Sequence, residues 1–384
     1  MKKILLIHNK YRDIGGEDIA VTEEIEFLKK YYQVEVLYFN NVISSYSNAL
    51  FSFLTQNNIM SNKRVTVAIK TFDPDLIYVH NTWFKASLGI FREINKFKIP
   101  VILKIHNFRF SCSRYMSSKY HFANNAICPK CGLNKKNLGI FNKYYEDSYL
   151  RSLFLILYGR SYFKILKNNK MSILVLTNFQ KKYMEKIGIN KNKIFIHRNI
   201  LKNTDLAEED YNPESNYIVY AGRISKEKGV ENLIQGFLLS TVNNLELKII
   251  GKGPLLEKLK RTYKDTRIKF YGELDNDRTK AFINKSRAVV TSTQLYEGQP
   301  TVLCEASVAK VPSIFPNNGG IHEFFPKSYE LMYEKNSIED LVQKINKLEN
   351  KKLLLKVSNQ NKLFIDGMLE EKTYIQNLKN IIRK

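Results

Sequence analysis

Short apolar runs recur along this chain, and each leads into a stretch long enough for a helix. Lys3–His8, Val34–Tyr38, Leu76–His80, Val101–Ile105 and Ile173–Thr177 read as strands, with helical patterns between them such as Asp18–Lys30 and Phe84–Phe97. A second series follows at Tyr217–Ala221, Glu246–Ile250, Ile268–Tyr271, Ala288–Thr291 and Pro312–Phe315. Strands joined through helices pair in parallel, because an antiparallel hairpin needs only a tight turn while a parallel pair needs a long crossover. The expected fold class is α/β: two doubly wound, Rossmann-like domains facing a central cleft, with ligands at the C-terminal ends of the strands.

The chain has 384 residues, 44% of them hydrophobic, enough for two full cores. The polar segment Lys202–Asn216, with Glu208-Glu209-Asp210 and Pro213, reads as a linker. It sets the expected domains at residues 1–202 and 203–366. A basic helical tail over 367–384 is expected to pack back on the first domain. No apolar run reaches the length of about 18 residues that a membrane helix needs. Met1-Lys2-Lys3-Ile4-Leu5-Leu6-Ile7-His8 is too short in its apolar part for a signal peptide and reads as the first strand of a cytoplasmic protein.

The net charge is +24. It is uneven: Arg151 to Lys202 holds 12 Lys or Arg against the single acid Glu185. Such a face attracts an anionic membrane surface, at about 1 kcal/mol per nearby cation. No helix-turn-helix, zinc-finger, RNP or KH pattern accompanies the charge, so nucleic acid is not the expected partner. Ser47–Phe72 alternates apolar residues with Lys63, Arg64 and Lys70. It reads either as an amphipathic helix lying on a membrane or as a helix packed on a sheet.

The chemistry concentrates at Tyr296-Glu297-Gly298-Gln299-Pro300-Thr301-Val302-Leu303-Cys304-Glu305. Pro300 suits the first position of a helix, where no N–H is needed. Thr301 and Val302 then offer backbone N–H groups to phosphate oxygens at the positive helix end. Of Glu297 and Glu305, one carboxylate can take hydroxyls of a sugar and the other the two hydroxyls of a ribose. Upstream, Gly222-Arg223-Ile224-Ser225-Lys226-Glu227-Lys228-Gly229 follows a strand. Arg223 can hold a diphosphate in its planar fork, and Lys228 adds a point charge. Gly251-Lys252-Gly253 and Asn317-Asn318-Gly319-Gly320 are further glycine loops after strands. In the first half, Gly15-Gly16-Glu17-Asp18 precedes a helix, and His80-Asn81 and His106-Asn107 close two strands. No Ser-His-Asp arrangement is detectable, and no Asp-x-Asp motif sits where a metal–diphosphate site needs one. Cys112, Cys128 and Cys131 cluster, with His121 or His106 available as a fourth zinc ligand. Cys304 reads as core.

Together these residues resemble the family 4 retaining glycosyltransferases of the GT-B fold. The resemblance spans nearly the whole chain. It rests on Gly15-Gly16-Glu17-Asp18, Val79-His80-Asn81-Thr82, Ile105-His106-Asn107, Gly222-Arg223 with Lys228-Gly229, Gly251-x-Gly253, Glu297-x7-Glu305 and Gly319-Gly320. The stretch from His106 through Cys112 to Cys128-Pro129-Lys130-Cys131 is similar to a bacterial subgroup acting in surface-polysaccharide assembly (capsule, O-antigen or exopolysaccharide). That subgroup often carries a further cysteine, which this chain lacks.

The resemblance implies a hexosyltransferase that needs no metal or other cofactor and keeps the anomeric configuration. The donor would be a UDP- or GDP-sugar and the acceptor a lipid-linked or polysaccharide chain, met at the inner face of the plasma membrane. Glu305 would hold the ribose and Glu297, with Gly298, the donor sugar. Arg223 and Lys228 would bind the diphosphate with Thr301 and Val302. Gly253 would belong to the donor site, Gly16 would let a loop approach donor and acceptor, and His106 would hold the sugar near the reacting carbon. Three alternatives differ in their signatures. A nucleotide-sugar epimerase would show acid–base carboxylates and histidines. A phosphorylase would show a cofactor lysine and a longer chain. A non-catalytic polyanion binder would not need the Glu pair.

Overall fold

The computed structural model describes residues 2–11, 15–41, 52, 55–108, 148–168, 170–201 and 211–382. Its compact units are two: the residues before Leu201 together with Glu371 onward, and Leu201–Glu370. The three clustered cysteines, His121, most of the expected linker and the start of the Ser47–Phe72 stretch lie outside the described residues.

The first unit is built on six parallel strands: β1 (Lys3–Lys10), β2 (Gln33–Asn40), β3 (Leu76–Val79), β4 (Val101–Ile105), β5 (Ser172–Val175) and β6 (Ile194–Ile196). Their order is β2-β1-β3-β4-β5-β6. Ile4 to Ile7 and Ile77 to Val79 are fully buried, as strands covered on both faces must be. The winding reverses between β1 and β3, so a crevice is expected beyond the ends of those two strands. The stretch expected as a helix over Phe84–Phe97 is helical only over Gly89–Ile94. Ser87, at φ 61°, takes a left-handed conformation that a helix cannot include. The strand β6 has three residues, too few to stand out as an apolar run.

Helix Ile59–Phe72 packs its inner face, with Val65, Ala68 and Ile69 buried, on β1 and β2. Its outer face exposes Ile59, Met60, Lys63, Val67 and Lys70. The helix-on-sheet reading thus describes one side of this segment, and the other side keeps an apolar and basic character.

The second unit has β7 (Tyr217–Ala221), β8 (Glu246–Ile250), β9 (Ile268–Gly272), β10 (Ala288–Val290), β11 (Ser313–Pro316) and β12 (Met332–Tyr333), all parallel, in the order β12-β11-β10-β7-β8-β9. Here the winding reverses between β7 and β10. Cys304 is fully buried in its core.

The chain leaves the second unit at Glu370, and the C-terminal helix Glu371–Ile382 joins the first. Tyr374, Ile375, Leu378 and Ile381 pack into the same apolar cluster as Ile4, Leu6 and Val21. Beneath them lies a polar knot. Glu24 accepts hydrogen bonds from Tyr78 at 2.6 Å, from Tyr374, and from the Lys104 ammonium at 2.7 Å. Glu24 and Lys104 are both fully buried. Burial draws the Glu24 carboxyl upward, but the Lys104 charge and the hydrogen bonds from Lys104 and Tyr374 hold it below its ordinary value. Burial likewise pulls the Lys104 ammonium below its ordinary value, against the opposing charge and hydrogen bond of Glu24, and removing one member leaves the other buried without its partner.

Glu24→Ala is expected to destabilise the first unit by about 3–5 kcal/mol, read from urea unfolding. Tyr374→Phe removes one donor from that carboxylate and is expected to cost about 1–3 kcal/mol, with faster amide exchange confined to residues 371–382.

Candidate functional site

Two groups of residues stand at the C-terminal rims of the two sheets. In the second unit, β7 runs into the turn that carries Arg223. This turn is sewn to the loop after β8: Gly222 N–H donates to Ile250 O at 3.0 Å, Ile224 N–H to Lys252 O at 2.9 Å, and Leu255 N–H to Ile224 O at 3.1 Å. A Cβ at Gly251 would lie 1.9 Å from Gly222 O, and one at Gly253 would lie 2.2 Å from Ile224 O. Both glycines are demanded by this backbone approach. What presses on Gly253 is the backbone of the Arg223 turn, at Ile224. The buried Tyr220 donates to Arg223 O at 2.8 Å from below. The Arg223 side chain is exposed and makes no ion pair among the described residues.

The second cation is placed differently. Gly229, at φ 67°, lets the chain turn so closely under β10 that a Cβ there would meet Ser292 O at 2.1 Å. Ser292 Oγ donates to Gly229 O at 2.6 Å. This lock sets Lys228 beside the loop after β10, where its Nζ lies 2.5 Å from Glu297 Oε1. Thr293 Oγ1 donates to the same oxygen at 2.9 Å. Sequence reasoning gave Lys228 and Glu297 separate tasks, and the fold puts them in direct contact. The Glu297 backbone is pinned in turn by a parallel bridge to Gly319 and by Gly320 N–H at 3.2 Å.

Pro300 occupies the N-cap of helix Thr301–Val308, one position earlier than its expected place inside the helix. The first helical hydrogen bond runs from Cys304 N–H to Pro300 O. The N–H groups of Thr301, Val302 and Leu303 therefore have no partner within the helix, and Pro300 brings no capping side chain. Glu305 follows one turn later. Its Oε1 faces Lys280 Nζ at 3.6 Å. Lys280, Thr293, Tyr220 and Ser292 were not singled out by the sequence. Nothing in their local pattern distinguishes them from ordinary helix and loop residues.

In the first unit three histidines meet at the sheet rim. His80 Nδ1 and His106 Nε2 are 3.0 Å apart, and His8 Nε2 is 2.9 Å from Asp18 Oδ1. A bond between two imidazoles needs one nitrogen to donate and the other to accept, so both rings cannot be protonated. Burial pushes both His80 and His106 well below the ordinary imidazole value, and the Lys104 charge adds to this. His106 and Gly16 are linked through their neighbours: Asn107 Nδ2 donates to Glu17 Oε2 at 3.1 Å. A Cβ at Gly15 or Gly16 meets nothing within 4 Å, unlike those at Gly229, Gly251 and Gly253.

A small cavity opens here, with Glu17, His106, Trp83, Tyr158 and Tyr162 in its wall. Three asparagines hold its rim: Asn81, read from the sequence as a strand end, and Asn9 and Asn41, which sequence reasoning missed. Asn81 Oδ1 takes Trp83 N–H, Asn41 Oδ1 takes Phe84 N–H, and Asn9 Oδ1 takes Ala86 N–H, at 3.0, 3.0 and 2.9 Å. Among the described residues no cluster of three or more His, Cys, Asp or Glu is placed to hold a metal ion. No described helix is long and apolar enough to cross a membrane.

Residues 202–363 match the family described as glycosyl transferases group 1. The chain is 28% identical over 207 residues to an uncharacterized glycosyltransferase of Methanocaldococcus jannaschii, covering 53% of this chain and 56% of that protein. It is 27% identical over 135 residues to a putative teichuronic acid biosynthesis glycosyltransferase, TuaC, of Bacillus subtilis, covering 35% of this chain and 33% of TuaC. It thus spans about half the length of these curated relatives or less. Among solved structures, Anabaena HepE in complex with UDP and glucose superposes with a TM-score of 0.68 at 13% identity, covering 100% of both chains. At that identity the likeness speaks to the fold, which is that of the GT-B glycosyltransferases.

Because His80, His106 and His197 stay neutral in the folded protein, an unfolded chain takes up more protons below about pH 6.5. Stability is expected to fall as pH drops from 6.5, by up to about 1.4 kcal/mol per pH unit for each histidine. For His197 the loss continues down to its folded value of about 3. Urea unfolding between pH 5 and 7 measures the slope, and His106→Gln should flatten it by about one proton.

Proposed function

We propose that this chain is a retaining glycosyltransferase. It moves a sugar from a nucleoside-diphosphate sugar to a lipid-linked or polysaccharide acceptor in bacterial surface-polysaccharide synthesis. The group 1 match over residues 202–363, the UDP and glucose in the HepE structure and the TuaC relationship support this reading. The observation that carries it is the contact of Lys228 with Glu297, followed by an uncapped helix start and then Glu305.

Phosphate oxygens at that helix start would be met by the N–H groups of Thr301 and Val302 and by the positive end of the helix dipole. Arg223, exposed, adds a fork of donors. A diphosphate arriving there competes with Glu297 for Lys228. As Lys228 turns to the phosphate, Glu297 is released to accept hydroxyls of the sugar beside Gly298. Glu305 takes the ribose hydroxyls.

In the reaction the acceptor oxygen bonds to the anomeric carbon while the bond from that carbon to the diphosphate oxygen breaks. The hydroxyl proton passes to the leaving phosphate. Attack on the same face as departure keeps the configuration, and no separate base is required. Negative charge grows on the diphosphate as the bond breaks, and Arg223, Lys228 and the helix end stabilise it there. No metal is needed for that task. In the first unit, His106 would hold the sugar near the reacting carbon. Glu17, Trp83 and Tyr158 would receive the acceptor saccharide, aromatic faces against its apolar side. Open space at Gly16 leaves room for substrate.

Titration with UDP, GDP and ADP is expected to raise the melting temperature with one nucleotide preferred, by about 2.7 kcal/mol of stability at a hundred times its dissociation constant. Arg223→Ala and Glu305→Ala should each weaken that nucleotide while keeping the fold. No shift with any of the three would sink this reading in favour of a non-catalytic polyanion binder.

We place the protein at an anionic membrane surface through the outer face of Ile59–Phe72, where Met60 is 68% and Val67 62% exposed beside Lys63 and Lys70. Co-sedimentation with phosphatidylglycerol vesicles is expected to weaken from 50 to 500 mM salt. Met60→Asp with Val67→Asp should weaken it at every salt concentration, and unchanged binding of that variant would remove the helix from the contact.

A further inference from the structure

Helix Asn276–Asn284 turns two residues inward, Lys280 and Ile283. Its other cation, Arg278, lies on the solvent side, with 74% of its side chain exposed. Lys280 is 7% exposed, and its ammonium reaches Glu305 Oε1 at 3.6 Å. Glu305 itself is only 15% exposed. A lysine on the core-facing stripe of a short helix is costly, because its charge leaves water. Leucine or methionine would fill the same stripe with no such penalty, and replacing a buried ion pair by apolar residues is often neutral for stability. The charge at residue 280 is thus poorly explained by packing. Among the described residues its ammonium makes one ion pair, with the carboxylate at residue 305.

We propose that Lys280 is a positioning residue for the nucleotide: it holds the Glu305 carboxylate oriented so that Glu305 can accept both ribose hydroxyls. This rests on the role given to Glu305 above and adds a residue to it. A carboxylate on a flexible stem must give up rotamer freedom to receive two hydroxyls at once. An ammonium anchored on a neighbouring helix settles that orientation before the ligand arrives, which lowers the cost of binding. Lys280 touches neither sugar nor phosphate in this arrangement. It acts through Glu305 alone, so its effect should exist only for a ligand that has ribose hydroxyls.

That restriction makes the test. Dissociation constants are measured for UDP, GDP and ADP and for the 2′,3′-dideoxy analogue of each. The proteins are the wild type, Lys280→Met, Lys280→Arg and Glu305→Gln. In the wild type the ribonucleotide should bind more tightly than its dideoxy partner by about tenfold or more, as expected for hydroxyls donated to a charged acceptor. Lys280→Met should reduce that ratio to the value seen in Glu305→Gln while leaving the dideoxy affinity unchanged. Lys280→Arg keeps the charge and should recover most of the ratio. If Lys280→Met weakens ribo and dideoxy ligands alike, or leaves the ratio untouched while Glu305→Gln lowers it, the positioning role is wrong and the ribose role of Glu305 survives. If Glu305→Gln leaves the ratio at its wild-type value, the ribose assignment fails first and Lys280 falls with it. Should Lys280→Met lower the melting temperature, Lys280→Gln, which keeps a polar group of similar length, replaces it against Lys280→Arg.

Discussion

A parallel strand can be followed by another only if the chain first travels back the length of the sheet. Within each unit every strand therefore ends on the same rim of its own sheet, and every loop that follows a strand is delivered there. This constraint puts His8, His80 and His106 within reach of one another although up to 98 residues separate them in the chain. It also brings the loops after β7 and β10 together, because those two strands flank the point where the winding reverses. Lys228 and Glu297 meet across that reversal.

The glycines divide into two kinds by what surrounds them. At residues 229, 251, 253 and 319 the backbone of a neighbouring loop occupies the place of a side chain. These positions shape the rim and hold Arg223 and Glu297 where they stand. At residues 15 and 16 the same space is open. Sequence alone cannot separate the two kinds, since each appears simply as a glycine after a strand.

Much of the architecture was legible because it depends on local pattern. Runs such as Ile4-Leu5-Leu6-Ile7 are continuous and apolar, as strands covered on both faces require. Ile194–Ile196 and Met332–Tyr333 were missed because two or three residues carry no period. The pairing of Glu297 and Glu305 across a helix start was visible because both residues sit on one short segment. Their partners were not visible. Lys228 was read only as a phosphate-binding cation and Lys280 was not read at all, since each meets its carboxylate only after distant parts of the chain have packed. The same holds for Asn9, Asn41 and Asn81. Their side chains answer backbone groups of one loop, and the spacing of those three asparagines encodes nothing about that loop.

The buried carboxylate at Glu24 has a consequence in time. Its hydroxyl donor Tyr374 is made 350 residues later. At about 5–20 residues per second, a ribosome needs roughly 20–70 s to cover that interval. Once β6 has been made, the nascent sheet of the first unit carries the Glu24–Lys104 pair with one ligand missing and an apolar face that the final helix has yet to cover. The half of the protein that is translated first is thus the half that is finished last, and in that window chaperones would have their longest opportunity to engage it.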